Sequence, residues 1–225
     1  KKTVNFDNHH VYHFYYGTEH GAPGTIWTTF PYKGHGVRRG IHGAGQIVAT
    51  SFSVPPAALD AWRERLASWK VVVHAIESRF GETGWRLEDP SGLVFELLGA
   101  DDARAPWSAG PVPSAHAIRG LHGVTAVVRA AGPTIEFLSG LLGFRVAGRD
   151  GARTRLSVGG DGPGHFIDVV EDPTARPGVN GLGTVHHVAV AIATAEAQRA
   201  IREELVRLDV PVTEVRDRCY FQSIY

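Results

Sequence analysis

The hydrophobic pattern of the chain repeats, and each repeat consists of a strand, an amphipathic helix and further strands. The most complete copy opens with residues 45–54, a run of small, β-branched and apolar residues that is typical of a buried strand. Pro55-Pro56 begins a helix predicted over 57–69, because proline is well tolerated in the first turn of a helix. The apolar residues of this helix recur at three- and four-residue steps: Leu59, Trp62, Leu66 and Trp69. Later strands are predicted for 71–76, 84–87 and 93–98.

A second copy follows the same order further along the chain. It opens with a predicted strand over 121–128, and its helix is predicted over 133–142. Gly143 follows the helix directly, as glycine often does at a helix C-terminus. The strands that follow are predicted for 144–147, 153–158 and 164–170.

Two further copies are incomplete. Residues 183–192 predict a buried strand, a helix is predicted over 195–208, and strands begin again within 211–225. Ahead of the first complete copy, three strand patterns match the closing strands of a unit: 2–6, 12–16 and 24–30. We therefore predict an α+β fold of four βαβββ units, with cupped mixed β-sheets and helices outside.

A stretch rich in Ala, Pro and Ser separates the units into pairs. We predict a first half over 1–100, a linker over 101–118 and a second half over 119–225. The chain contains no methionine, begins with Lys1-Lys2 and ends within a strand pattern. We therefore expect it to be a fragment of a longer protein.

Adjacent histidines open the predicted strand 183–192. Side chains alternate between the two faces of a strand, so His186 and His187 are expected to point in opposite directions. An imidazole at the start of an apolar strand is either a hydrogen-bonded core residue or a metal ligand.

The repeat suggests which histidine is the ligand. Alignment of the first strands places Gln46, Gly123 and His187 at one position, and alignment of the last strands places Glu96 and Asp168 at another. The acidic counterpart of His187 would fall beyond Tyr225, and the opening of the first unit would precede Lys1. A second metal site at Gln46 and Glu96 is an open alternative, although a local hydrogen bond at Glu96 is the favoured interpretation.

The composition argues against several classes of function. Lys plus Arg and Asp plus Glu each total 23, and this balance argues against a nucleic-acid-binding protein. No apolar run has the length of a membrane span, so we expect no membrane association. The single cysteine, Cys219, excludes an internal disulfide and favours a reducing, cytoplasmic location.

Paired βαβββ units with His or Gln near the first strand and an acidic residue near the last resemble the vicinal oxygen chelate superfamily. Within it, the chain is most similar to hydroquinone-type ring-cleaving dioxygenases. The matching stretches are Lys2–Asp7, Tyr12–Gly17, Pro23–Thr25, Arg79-Phe80-Gly81-Glu82, Ala117–Thr125, Val185–Ala189 and Asp217–Tyr225.

This resemblance implies a protein that cleaves a hydroquinone or catechol-type ring with O2, using Fe(II), with Mn, Zn or Ni as alternatives. It implies that His187 is a metal ligand, whereas the other two ligands of the family match no residue of this chain. By the same resemblance His186 lies beside the pocket, Arg218 binds substrate and stabilises an anion, and Tyr225 exchanges a proton or hydrogen-bonds near a substrate oxygen. With one ligand, the 225 residues are expected to bind metal weakly and to have no turnover.

Other interpretations of the same residues stay open. His187 could be a satisfied core histidine, and Arg218 could form a surface pair with Asp217 or Glu214. The fold would also suit a glyoxalase-like metal-dependent isomerase or lyase, or a non-enzymatic protein that binds small molecules. A homo-oligomer is compatible with each of these functions.

Overall fold

A computed structural model describes all 225 residues. The strands are β1 (Lys2–Val4), β2 (Tyr12–Tyr16), β3 (Trp27–Thr29), β4 (Gln46–Val54), β5 (Val73–Ala75), β6 (Gly84–Glu88), β7 (Val94–Gly99), β8 (Gly120–Val128), β9 (Arg145–Asp150), β10 (Arg153–Ser157), β11 (Phe166–Glu171), β12 (Arg216–Asp217) and β13 (Gln222–Ser223). The helices are α1 (Leu59–Ser68), α2 (Ala131–Leu141) and α3 (Ala195–Arg207), with a short 3-10 helix at Pro56–Ala58 before α1. The α+β fold class is confirmed.

The second and third units share one sheet of eight strands, in the order β5-β6-β7-β4-β8-β11-β10-β9. Strands β4 and β8 pair antiparallel at its centre and so join the two units. Within each unit the first and last strands are parallel, β4 with β7 and β8 with β11. Parallel neighbours require a crossover, which the segments containing α1 and α2 provide.

Helices α1 and α2 cover one face of this sheet. Leu66 of α1 packs with Val54 and Leu97, and Ala131 of α2 packs in a cluster that includes Leu156 and Val169. Because side chains alternate along a strand, Glu96 and Asp168 lie on the opposite face from their neighbours Leu97 and Val169. The period of the strands thus directs two carboxylates into the concave side.

The outer units contact each other. Strands β1, β2 and β3 form a separate sheet, and β12 pairs with β13. The Lys1 ammonium donates to the Tyr220 hydroxyl at 2.8 Å, and Arg218 Nη1 donates to Asp7 Oδ1 at 3.2 Å. The second and third units therefore pair with each other, and so do the first and fourth units. The division into 1–100, 101–118 and 119–225 stays a prediction about chain order.

The predicted buried strand 183–192 is wrong. Residues 185–192 have no strand hydrogen bonds, and residues 186–189 are exposed. No neighbouring strand supplies the ladder that a β-strand needs, so the apolar pattern alone does not produce one. The following helix forms as predicted, and the Thr194 hydroxyl caps it by accepting from the Ala197 N–H at 3.1 Å.

Candidate functional site at the contact of the outer units

Arg218 lies at the contact between the first and fourth units. Its side chain is buried, and its guanidinium donates to both carboxylate oxygens of Asp7 at 3.2 and 3.4 Å. The alternative of a surface pair with Asp217 or Glu214 is therefore wrong. The same guanidinium lies 5.3 Å from the centre of the Tyr225 ring, within the range of a cation–π contact.

His187 joins this group through Tyr225. The two rings lie edge to face with centres 5.7 Å apart. Partial burial, followed by the positive potential of His186 and Arg218, lowers the pKa of His187. A lowered pKa favours the neutral imidazole, which is the form that ligates a metal.

The prediction that His186 and His187 point in opposite directions is wrong. The Nδ1 atoms of His186 and His187 lie 2.9 Å apart, and the rings are perpendicular with centres separated by 5.2 Å. Without strand geometry, nothing enforces alternation between neighbouring side chains. One tautomer of this pair places a single proton between the two nitrogens, so that His186 orients the His187 ring.

Strand β2 contributes two side chains from the first unit. His13 and Tyr15 lie two residues apart and therefore on one face of the strand. Burial, with the neighbouring charge of His187, lowers the pKa of His13. Burial, followed by the neighbouring Tyr220 and Tyr225, raises the pKa of Tyr15. The sequence pattern gives no signal for Tyr15, because Tyr220, Tyr225 and Arg218 are more than 200 residues away along the chain.

These residues do not complete a metal site. Nowhere in the chain do three His, Cys, Asp or Glu side chains come together in an arrangement that could hold a metal ion. The double histidine supplies imidazole nitrogen, and the groups around it are a guanidinium and a phenol, which are not a ligand set for iron. What the cluster can do by itself is bind an oxyanion, stack an aromatic ring and exchange a proton.

A second polar cluster, which we call the inner charge cluster, fills the concave side of the eight-stranded sheet. It contains three carboxylates and three guanidinium groups. Its members are Arg79, Glu82, Glu96, Arg153, Arg155 and Asp168, with His122 beside Glu82. The sequence analysis did not predict this cluster, although Arg79-Phe80-Gly81-Glu82 is one of the stretches that resemble ring-cleaving dioxygenases.

Gln46 and Glu96 are not neighbours, so the alternative of a second metal site at these two residues is wrong. In the parallel pair of β4 and β7 the residue beside Glu96 is Ser51, whose hydroxyl donates to Glu96 Oε2 at 2.5 Å. Arg79 also donates to Glu96, with Nη1 3.1 Å from Oε1. Gln46 instead contacts Asn180. The favoured interpretation of Glu96 as a locally hydrogen-bonded residue is confirmed.

Glu82 links the two inner units. Its carboxylate accepts from Arg155 Nη2 at 3.0 Å and lies 3.2 Å from His122 Nε2. Burial opposes ionisation of Glu82, but the hydrogen bonds from His122 and Arg155 outweigh it and lower the pKa to about 2. Ion pairs within the protein therefore occupy the concave side of the eight-stranded sheet.

Comparison with known proteins agrees with this architecture. Glyoxalase I from Zea mays superposes with a TM-score of 0.63 at 12% identity, over 96% of this chain and 72% of the maize chain. At that identity the likeness concerns the fold, which is the vicinal oxygen chelate fold. A crystal structure of a protein named as a dioxygenase from Bacillus subtilis superposes with a TM-score of 0.91 at 38% identity, over the whole chain and 71% of that protein.

Proteins of similar sequence support the same assignment. MhqO of Bacillus subtilis, which carries the name of a ring-cleaving dioxygenase, is 38% identical over all of this chain and 71% of its own length. The chlorohydroquinone/hydroquinone 1,2-dioxygenase of Sphingobium indicum is 36% identical over all of this chain and 72% of its own. No protein-family model matches the chain. The chain belongs to the ring-cleaving dioxygenases of the vicinal oxygen chelate superfamily, and the predicted resemblance is confirmed.

None of the three helices is both long and apolar enough to cross a membrane.

Proposed function

We propose that the protein cleaves a hydroquinone or catechol-type ring with O2, in the degradation of aromatic compounds. The observation that carries this proposal is the convergence of Arg218, Tyr225 and His187 from the fourth unit with Tyr15 from the first. The name of the Sphingobium indicum relative supports the choice of a hydroquinone. The fold is shared with glyoxalases, but the identity to ring-cleaving relatives favours oxygenation over isomerisation or simple binding.

Arg218 supplies the positive charge of the site. Its burial and its pair with Asp7 hold the guanidinium in one orientation, so it can meet a phenolate oxygen without reorganising. Tyr225 lies against this cation, and its hydroxyl serves as the proton donor or acceptor for a substrate oxygen. Together they bind and ionise a ring hydroxyl.

We propose His187 as a metal ligand and His186 as the residue that orients it. The proposed metal is Fe(II), which would supply the electron transfer that activates O2. Mn is an alternative for that role, whereas Zn or Ni would fit the glyoxalase-like alternative. Because the chain contains no set of three ligating side chains, the remaining ligands are proposed to be groups other than these 225 residues. A cytoplasmic location is proposed from the single, free Cys219.

Oxygen uptake tests the proposal. The complete gene product, loaded anaerobically with Fe(II), is expected to consume O2 in the presence of hydroquinone or catechol and to yield a ring-opened product by mass spectrometry. Loading with Zn(II) is expected to abolish uptake. An absence of uptake across both substrates in the iron-loaded protein would overturn the proposal. The 225-residue chain alone is expected to bind iron weakly and to show no turnover.

A further inference from the structure

The two ring nitrogens of His13 are buried without a hydrogen-bond partner. Both ring nitrogens, Nδ1 and Nε2, are shielded from solvent, and neither has a donor or acceptor within reach. Buried polar atoms in folded proteins almost always have a partner, so an orphaned pair on one side chain calls for an explanation. At a binding site the usual explanation is that the partner arrives with the ligand.

Aromatic neighbours hold this imidazole in place. The ring packs against Tyr15 and Phe30, with both centre-to-centre distances equal to 4.1 Å and the Phe30 ring nearly parallel at 25°. These aromatic neighbours give the imidazole nitrogens no hydrogen bond. The His13 backbone is fixed by the pairing of β2 with β1, in which Thr3 lies opposite His13.

His13 lies in the sheet of the first unit, on the same strand face as Tyr15. This unit contacts the segment that carries Arg218 and Tyr225, because Lys1 Nζ donates to the Tyr220 hydroxyl at 2.8 Å and Arg218 Nη1 donates to Asp7 Oδ1 at 3.2 Å. An aromatic ring that reached Arg218 and Tyr225 would therefore approach the His13 edge and the flat faces of Phe30 and Tyr15.

We propose that His13 hydrogen-bonds an oxygen of the bound aromatic substrate and so selects hydroxylated rings. This inference rests on the proposed function and deepens it by assigning a specificity-determining residue. A dihydroxy-aromatic carries hydroxyl groups that can serve either nitrogen of an imidazole, as donor or as acceptor. A ring without a hydroxyl at that position would leave the nitrogens unpaired and bind more weakly.

The test uses His13→Phe in the complete, iron-loaded gene product. Phenylalanine keeps the stack with Tyr15 and Phe30 but removes both nitrogens. We expect the KM for hydroquinone to rise about three- to tenfold, the loss expected for one neutral hydrogen bond. We also expect the melting temperature of the ligand-free variant to equal or exceed that of the wild type, because a buried unpaired group has been removed. His13→Asn or His13→Gln, which return an amide oxygen and an amide nitrogen, should recover part of the affinity.

The exposed His10 provides a matched control, and His10→Phe should change neither KM nor melting temperature. An unchanged KM in His13→Phe would overturn the inference, as would a clear fall in its melting temperature. Iron content below the wild-type value would also overturn it, because His13 would then act through the metal. If the wild type shows no oxygen uptake, calorimetric titration with hydroquinone still decides: equal affinity of wild type and His13→Phe rejects the role of His13, whereas weaker binding by the variant supports it.

Discussion

Glu82 and Arg155 form an ion pair between the second and third units, with Glu82 Oε2 accepting from Arg155 Nη2 at 3.0 Å. The two residues are 73 positions apart and come from units that the linker separates. Arg155 also donates to Asp168 and lies over the rings of Phe80 and Phe166, at 4.3 and 4.7 Å from their centres. The pair therefore fastens the two halves of the large sheet on its concave side.

Replacing Arg155 with methionine should destabilise the fold strongly. The change leaves the partly buried Glu82 and the buried Asp168 without their main cation, and removing one partner of a buried pair typically costs about 3–5 kcal/mol. Urea unfolding followed by circular dichroism would measure the loss. Arg207→Met, which removes an exposed pair with Glu204, should cost less than about 1 kcal/mol. A loss in Arg155→Met no larger than that control would contradict the role of the cluster.

Stability should fall in acid through the titration of Glu82. Its pKa is about 2 in the folded protein against an ordinary 4.5, so the folded state binds the proton less tightly than the unfolded chain. The stabilisation, on the order of 3 kcal/mol, is present above pH 4.5 and is lost as the pH falls toward 2. Denaturant unfolding at several pH values would record it. Glu82→Gln should flatten the curve in this window, whereas the exposed Glu203→Gln should not.

Arg218→Gln should lower turnover about a hundredfold in the complete iron-loaded protein, since a preorganised charge at a developing anion is worth roughly that much. Oxygen uptake with hydroquinone would measure it. The exposed neighbour Arg216→Gln is the control and should stay close to the wild-type rate. Equal effects of the two substitutions would argue that Arg218 acts only through the general positive potential.

Gly183→Ala should destabilise the segment that carries the double histidine. Gly183 has φ of +82°, and a Cβ there would overlap the carbonyl oxygen of Ser91. The expected cost is about 1–3 kcal/mol, measurable as a lower unfolding midpoint in urea.

Gly140→Ala offers the opposite outcome and serves as its control. Gly140 lies within α2, and a Cβ added there would contact nothing. Alanine is the better helix former, so a gain of about 0.5–1 kcal/mol is expected. A destabilised Gly140→Ala would indicate that α2 packs against something in solution.

The sequence by itself determined most of the local elements. Strand β2 coincides with its predicted bounds, β4 and β8 begin within one residue of theirs, and each predicted helix forms. These elements follow from the periodicity of apolar residues, from prolines and from capping groups, all of which act within a few residues along the chain. The resemblance to ring-cleaving dioxygenases also pointed to Arg218, Tyr225 and His187, which the structure brings together.

Tertiary structure alone decided which elements become neighbours. The strand pattern at 183–192 does not yield a strand because a strand exists only beside a partner, and Gln46 lies five residues from the true neighbour of Glu96 because the register is set by pairing across the sheet. The ion pair of Glu82 with Arg155 and the unpaired edge of His13 depend on distances between residues far apart in sequence. The ion pair and the unpaired imidazole affect the free energy of the fold because they are shielded from water, and burial is a property of the folded chain.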